Sequence, residues 1–438
     1  MDGVEGSICN AQLEITPQMD IVIAGGGLAG LALVLGLQER NIQAHVFESH
    51  PVLSAATATI IGIGSNGITA LEGIKPGLTT AIAQAGAYTT KFRYIASING
   101  KEEQSRTTRM LPDQWITVRW ESVQRILASF LHKSSIYFSH KLIAYKPFKG
   151  GVEAYFRYTA DNLEKIKMIP CKLLIGADGI WSVVRKQMVG DPPRHLNLIN
   201  WNALVYDPDL KLFDDVERGD IIYRSDNNGR TRSIIANTGD YTMWLLRKKD
   251  ETGELASSLV GGKATLGAPG CKSRALKQLD GVVGWDNLRV AIEATSEEII
   301  TERKMMDRLP INKWSDADGH VLLIGDAAHA QYTGPGQGAR TAFEDAHQLS
   351  LLLEVANTSS LSTESIDEAV GRFEELRIPR MKKMQEYAAY QTMIPEFQPD
   401  WTKNLTTEER ERMNQEYRKW VEAYPDKQQG DPESFYYK

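Results

Sequence analysis

Met19-Asp-Ile-Val-Ile-Ala-Gly25-Gly-Gly27-Leu-Ala-Gly30 decides how this chain is read. Met19 to Ala24 is a short apolar strand. Leu28 to Arg40 is apolar nearly all round, which predicts a helix packed on a sheet. Ala44 to Glu48 is a second strand, so the segment opens a βαβ unit and an α/β fold with a parallel sheet. Each glycine of the turn has its own task. Gly25 permits the tight turn, Gly27 lets a pyrophosphate approach the backbone, and Gly30 lets helix and strand pack closely. Leu28 and Ala29 open the helix, where unpaired N–H groups and a partial positive charge face the phosphates. Glu48 ends the next strand, where a carboxylate accepts hydrogen bonds from ribose hydroxyls and repels a 2′-phosphate. The site thus suits FAD or NAD and disfavours NADP. A glycine turn without ligand is the plainer alternative, and the strand, helix and acid together argue against it. Gly62-x-Gly64-x-x-Gly67 repeats the spacing without an acid at the required distance. It reads as a structural turn.

The 438 residues allow two or three lobes. A hydrophobic fraction of 42% and a charged fraction of 24% exclude wholesale disorder. The net charge of -6 argues against a dominant nucleic-acid or anionic-membrane surface. Cys9, Cys171 and Cys271 are far apart, show no zinc spacing and imply no disulfide framework, so no metal is expected and a reducing compartment is the simplest reading. The first 20 residues carry Asp2, Glu5 and Glu14 but no lysine or arginine, unlike a signal peptide. The apolar run Ile21 to Leu37 is broken by glycines and fits strand plus helix, not a membrane span. A cytoplasmic protein is expected.

Further along, Ser122 to His132 predicts an amphipathic helix and residues 136–175 predict strands. Turns separate β-rich pieces such as Asp220 to Tyr223 and Tyr241 to Leu246. Val321 to Gly325 reads as a buried strand. Helices are expected at Gly336 to Leu353, 364–390 and 400–424. The last is highly charged, and a solvated face is preferred there to a partner surface.

Two later segments separate FAD from NAD. One is Gly176-Ala-Asp178-Gly179-Ile-Trp-Ser182-Val-Val-Arg185. The other is Gly325-Asp326-Ala-Ala-His329, followed by Gly334-Pro-Gly336-Gln-Gly338-Ala339. With the opening glycines they resemble the three signatures of the class A flavoprotein monooxygenases, the aromatic-hydroxylase or salicylate hydroxylase-like family. Trp314, Phe343-Glu-Asp345-Ala and Arg377-x-Pro-Arg380 extend the resemblance, which covers roughly residues 19–390.

The resemblance implies a Rossmann-like FAD-binding domain (GR2-type) in two parts, residues 19–190 and 301–390. It also implies an inserted β-sheet substrate domain at 191–300, a leader at 1–18 and a C-terminal helical tail at 391–438. Asp326 would hydrogen-bond the flavin ribityl hydroxyls, and Gly336, Gly338 and Ala339 would bring backbone N–H groups to the isoalloxazine. Arg119 and Gln124 would contact FAD phosphates and ribose, although one residue more than the usual Arg-x-x-x-Gln separates them. Asp178 would line the path between FAD and the nicotinamide, though a turn explains it equally well. His329 reads as structural.

NADPH or NADH would act as a transient reductant without its own Rossmann domain. The implied chemistry is a flavin C4a-hydroperoxide that hydroxylates an electron-rich aromatic or enolic small molecule. Alkene epoxidation is the alternative, as is a dehydrogenase or reductase without oxygen insertion. A flavin halogenase is disfavoured, because no two tryptophans stand two residues apart. The substrate is expected between flavin and the β-rich lobe, near Trp201, Asn202, Tyr223, Asn237, Tyr241 and Trp244. Of these Asn202, Tyr223 and Tyr241 are the substrate-side candidates. Asn202 stands where several salicylate-hydroxylase-like proteins carry arginine, which weakens an anionic-substrate reading. Thr333 replaces the proline usual in the flavin loop.

Overall fold

Ile21, Val22 and Ile23 have no exposed surface, because their strand lies in the middle of a sheet covered on both faces. The computed structural model describes residues 12–53, 59–98, 101–111, 113–160, 163–226, 229–257, 259, 264–357, 361–392 and 394–424. Cys9 falls outside them. The first sheet has eight strands. Its order is Lys141–Phe148, Gly151–Ala160, Leu163–Gly176, Met19–Ala24, Ala44–Phe47 and Ile136–Tyr137. Gln12–Ile15 and Val321–Leu323 both pair with the long Leu163–Gly176 strand.

The Leu28–Gln38 helix is buried from Leu28 to Leu37 between this sheet and the Gly338–Ala356 helix. Each of its leucines, taken fully out of water, contributes about 1.5–3 kcal/mol. Gly36 is where the two helices approach most closely, since a Cβ there would lie 2.9 Å from Ser350 Oγ.

A second sheet of eight strands runs Thr265–Leu266, Thr301–Asp307, Arg194–Tyr206, Tyr241–Lys249, Thr231–Asn237, Asp220–Ser225, Lys91–Ile98 and Lys101–Arg109. One face buries Trp201, Ile222, Ile235, Trp244 and Leu246 against the Cys271–Lys277 and Asp286–Ala294 helices. The other face carries Tyr94, Tyr223, Ile234 and Leu245 in neighbouring registers, and looks toward the flavin-motif loops. Two of its strands, between Lys91 and Arg109, come from the stretch that the sequence reading gave to the first part of the FAD domain.

One reading of the ends needs correction, and another needs completing. Gln12–Ile15 is not part of a loose leader: it pairs in parallel with residues Lys165 to Met168. Backbone pairing holds it there although Leu13 and Ile15 remain exposed. The last helix keeps the solvated charged face expected of it, but its other side is docked. Thr407–Glu422 buries Met413, Tyr417 and Val421 at four-residue spacing, and the Tyr417 ring stacks on Tyr387 with centroids 3.3 Å apart. The other helices begin and end within a few residues of expectation, with Trp120–Ser129 starting two residues early.

Candidate functional site

Gly176 is in register with both Ala24 and Leu323, so three parallel strands end at one level and their loops meet. A Cβ on Gly25 would lie 2.5 Å from the Ala177 carbonyl oxygen and 2.9 Å from Asp178 Cα. A Cβ on Gly325 would lie 2.9 Å from Ala29 Cβ. The three sequence motifs are therefore in mutual contact at the carboxyl edge of the sheet, where open α/β folds bind ligands.

In the first turn Gly25 has φ +108 and donates its N–H to Phe47 O at 2.8 Å. A Cβ on Gly30 would stand 2.1 Å from Gly25 O, so helix and turn touch there. A Cβ on Gly27 would meet nothing within 4 Å, so the turn opens on free space at the second glycine. No side chain caps the helix that starts at Leu28. Glu48 is buried beneath the turn and accepts the Gly26 N–H at 2.8 Å, with further bonds from Ser49 and His50. Burial works to raise its carboxyl. Those hydrogen bonds outweigh burial and hold it below the usual carboxylate range. Gln124 Nε2 donates to Gly26 O at 2.8 Å, while its buried Oε1 has no protein partner. Arg119, at the cap of the same helix, lies 4.3 Å from the Tyr241 ring centroid and pairs with Glu121. Asp178 accepts the Val183 N–H at 2.7 Å through one oxygen, and its buried Oδ1 has no hydrogen-bond partner among the described residues.

Around the third motif, every residue from Val321 to Tyr332 is buried except Asp326. Its side chain stands free in the cleft, and its Oδ1 would lie 3.9 Å from a Cβ on Gly338. The surrounding protein works to raise the Asp326 carboxyl against the pull of His329 and Arg303. Gly338 and Ala339 start a helix of 19 residues without a side-chain cap, and Gly336 turns the chain into it at φ +67. A buried ionic lattice holds this loop. Asp345 accepts the Gly325 N–H at 2.8 Å, sits 2.6 Å from His329 Nε2 and takes Arg377 Nε at 2.8 Å. Glu344 receives Arg377 and Arg380, and with Gln337 it accepts from Asn66 Nδ2. His329 is thus structural, as expected.

The second glycine run proves to be a strand and helix as well, Ile60–Ile63 and Ser65–Ile74. Its helix end is already occupied: Glu422 Oε2 accepts the Ser65 N–H at 3.0 Å, and Glu422 Oε1 pairs with Arg340 at 2.7 Å.

Between the second sheet and the Gly334–Gln337 loop lies a cavity of about 1520 Å³. Phe92, Tyr94, Trp115, Tyr223 and Tyr332 give it aromatic walls, and Arg232 and Arg247 add two guanidiniums. Tyr387, Tyr417 and Arg418 close it from the last two long helices. Of the residues expected near the substrate, Tyr223 lines this cavity and stacks on Tyr94 with centroids 5.1 Å apart. Trp201, Trp244 and Asn237 need correction. Trp201 and Trp244 face the opposite side of the sheet and bond Glu302 and Thr295. Asn237 holds a turn through Gly219 and Gly239. Asn202 and Tyr241 stand on the same face as Leu245, but Asn202 is buried against Asn200 and Tyr241 lies under Arg119, and neither lines this cavity. Sequence reasoning missed Trp115, Arg232, Arg247 and Tyr332. The one usable signal was the position of Tyr332 between His329 and Gly334, inside a motif already marked.

The FAD binding domain family matches residues 18–370. The chain belongs to this family. Among curated relatives of this FAD-binding chain is aurachin C monooxygenase/isomerase of Stigmatella aurantiaca. The two are 27% identical over 373 residues, covering 83% of this chain and 86% of the relative. 3-Amino-4-hydroxybenzoate 2-monooxygenase of Streptomyces cremeus is 27% identical over 402 residues, covering 90% and 92%. The zeaxanthin epoxidase of an Oncidium hybrid cultivar is 28% identical over 82% of this chain, which spans only 52% of that protein. The crystal structure of CtdE in complex with FAD and substrate matches with a TM-score of 0.72 at 18% identity, covering 93% of this chain and all of the other, and so shares its fold.

The geometry fits FAD. The open space at Gly27, two uncapped helix starts, the unpartnered Gln124 Oε1 and Asp178 Oδ1, and the freestanding Asp326 lie along one edge of the sheet. The cofactor of this family member is FAD. Among the described residues no helix is long and apolar enough to cross a membrane.

Proposed function

We propose that this chain hydroxylates an electron-rich aromatic or enolic small molecule, with NADH or NADPH as reductant and O₂ as oxidant. It is an FAD-dependent monooxygenase. The observation that carries the substrate reading is the aromatic cavity of about 1520 Å³ set directly against the Gly334–Gln337 loop.

Bound FAD supplies hydride acceptance and oxygen activation. Gly25, Gly27, Leu28, Ala29, Gly30, Glu48 and Gln124 hold the adenosine and pyrophosphate half, with Arg119 at the rim and Asp178 beside the turn. Asp326, Gly336, Gly338 and Ala339 hold the flavin half. Helix-end N–H groups at Leu28 and Gly338 face the negative charge at each end. Phe92, Tyr94, Trp115 and Tyr223 exclude water and orient a flat ring by stacking.

The likeness to aurachin C monooxygenase/isomerase and to 3-amino-4-hydroxybenzoate 2-monooxygenase supports hydroxylation. The likeness to zeaxanthin epoxidases supports the alternative, epoxidation. Arg232 and Arg247 in the wall weigh against a pure hydrocarbon, because desolvating guanidiniums against an alkene leaves their charge uncompensated. The test is turnover under isotopically labelled O₂ with a panel of phenols, enols and alkenes, following NADH or NADPH consumption. One labelled oxygen should enter the product whose parent stimulates consumption. Consumption matched entirely by hydrogen peroxide, with every compound, would defeat the reading.

A further inference from the structure

Tyr332 stands in the loop between His329 and Gly334, and its ring packs among Leu196, Leu198, Met305 and Ala388. Gly334 lies so close that a Cβ there would reach within 2.3 Å of the ring. Its phenol oxygen accepts two charged hydrogen bonds, from Arg247 Nη1 at 2.6 Å and Arg232 Nη1 at 3.2 Å. These arginines are directly opposed on adjacent strands, an unfavourable pairing unless an anion sits between them. Among the described residues no carboxylate pairs with either. Arg247 otherwise donates to Asn200 Oδ1 and Thr333 Oγ1, and Arg232 to the Gln391 and Thr392 carbonyls, all neutral. The hydrogen of a neutral Tyr332 phenol finds no acceptor among the described residues. An ionised oxygen removes both anomalies at once, and Tyr332, Arg232 and Arg247 all line the cavity.

We propose that Tyr332 is the base of this cavity: a phenolate held between Arg232 and Arg247 that takes the proton of a substrate ring hydroxyl or enol. This rests on the hydroxylase reading and adds a residue to it. In the step, the substrate O–H bond breaks and an O–H bond forms on Tyr332. The negative charge passes to the substrate oxygen, beside the same guanidiniums, and no electrons are gained or lost. The deprotonated ring or enolate is the more electron-rich partner for oxygen transfer.

Burial opposes ionisation of Tyr332, but Arg247 and Arg232 outweigh it and hold the phenol below the ordinary tyrosine value of 10.0. Other charged groups face it from further off. Arg303, one strand beyond Asn200, feels Asp326. The Thr363–Gln391 helix offers neutral Tyr387 and Gln391 to the cavity. The Thr407–Glu422 helix offers Arg418, Lys419 and Glu422, the last paired with Arg340. Across the cavity stand Arg106, Arg224 and Asp226.

The test uses FAD-loaded full-length protein labelled with ¹³C at the tyrosine Cζ atoms, of which there are 16. In a pH titration one resonance should ionise ahead of all others, vanish in Tyr332→Phe and return toward the ordinary range in Arg247→Gln. Saturation with 4-nitrophenol should move that resonance to its neutral position while the bound probe shows the absorbance of its anion. A Tyr332 resonance that titrates with the others overturns the proposal, as does one that stays ionised while the probe binds. The titration needs no oxygen transfer, so it stands or falls separately from the hydroxylase reading.

Discussion

Replacing Arg377 with methionine removes the centre of the lattice behind the flavin loop. Arg377, Glu344 and Asp345 all have no exposed surface, and Arg377 reaches Glu344 at 2.5 Å and Asp345 at 2.8 Å. Removing one member of a buried ion pair costs about 3–5 kcal/mol, because a charge is left without compensation. Here Glu344 keeps Arg380 and Asn66, and Asp345 keeps His329 and the Gly325 N–H, so the lower end applies, about 3 kcal/mol. The unfolding entropy of 438 residues at roughly 2.1 cal/mol/K each is about 0.9 kcal/mol per degree, so Tm should fall by about 3 °C. The pH dependence gives a second reading. Burial works to raise both carboxyls, yet Arg380 and Arg377 hold Glu344, and His329 and Arg377 hold Asp345, below the usual range. A carboxyl with a depressed folded pKa contributes stability above its unfolded value of about 4, and loses it as pH falls through the folded value. The difference in Tm between the native protein and Arg377→Met should therefore be largest near neutrality and shrink in acid. Thermal unfolding by circular dichroism across pH measures both, and release of flavin fluorescence should occur sooner in the variant. An unchanged Tm with undiminished flavin retention would refute the assignment of this lattice as the support of Gly325 and His329.

Gly27→Ala has room for its methyl and should fold with native Tm as apoprotein, yet bind FAD roughly tenfold more weakly, about 1.4 kcal/mol, by filling the space a phosphate needs. Gly30→Ala places Cβ 2.1 Å from Gly25 O and should lose both Tm and FAD. Flavin titration with a melting curve separates the two. Asp326→Ala should keep the fold, since its exposed carboxylate makes no hydrogen bond or ion pair with the described residues, while weakening flavin retention; full retention of colour and activity would contradict its role. Glu422→Gln should cost about 1 kcal/mol, since 32% exposure of its side chain discounts the pair, and lower Tm by roughly a degree. It should raise KM more than it lowers kcat, because the helix it anchors is a cavity wall.

The nucleotide end was readable because its demands are local. Gly25, Gly30 and Glu48 act within one βαβ unit, and each shows as a residue type at a fixed spacing. The substrate end was not. Trp201 and Asn202 alternate along one strand, and nothing in the sequence says which of the two faces looks toward the flavin loop. Arg232 and Arg247 become neighbours only through strand register, and Glu422 meets Ser65 only through the docking of a helix more than three hundred positions away. The same distance hid the tail's packing. Its charges dominate its composition, while the contacts that hold it fall on Met413, Tyr417 and Val421, one turn apart.

The parallel pairing of Asp220–Ser225 with Lys91–Ile98, and the reliance of Gly325 on Arg377, bear on how the protein is made. A nascent chain that has emerged from the ribosome only as far as the first glycine turn displays a phosphate cradle with no opposite end. The second sheet stays open at an edge until the Asp220–Ser225 strand arrives, and the flavin loop stays slack until the Thr363–Gln391 helix has been synthesised. Contacts that span so much chain form slowly and late. Flavin is therefore loaded only after the Thr363–Gln391 helix has been made, and an exposed sheet edge in the meantime is what a chaperone would have to shield.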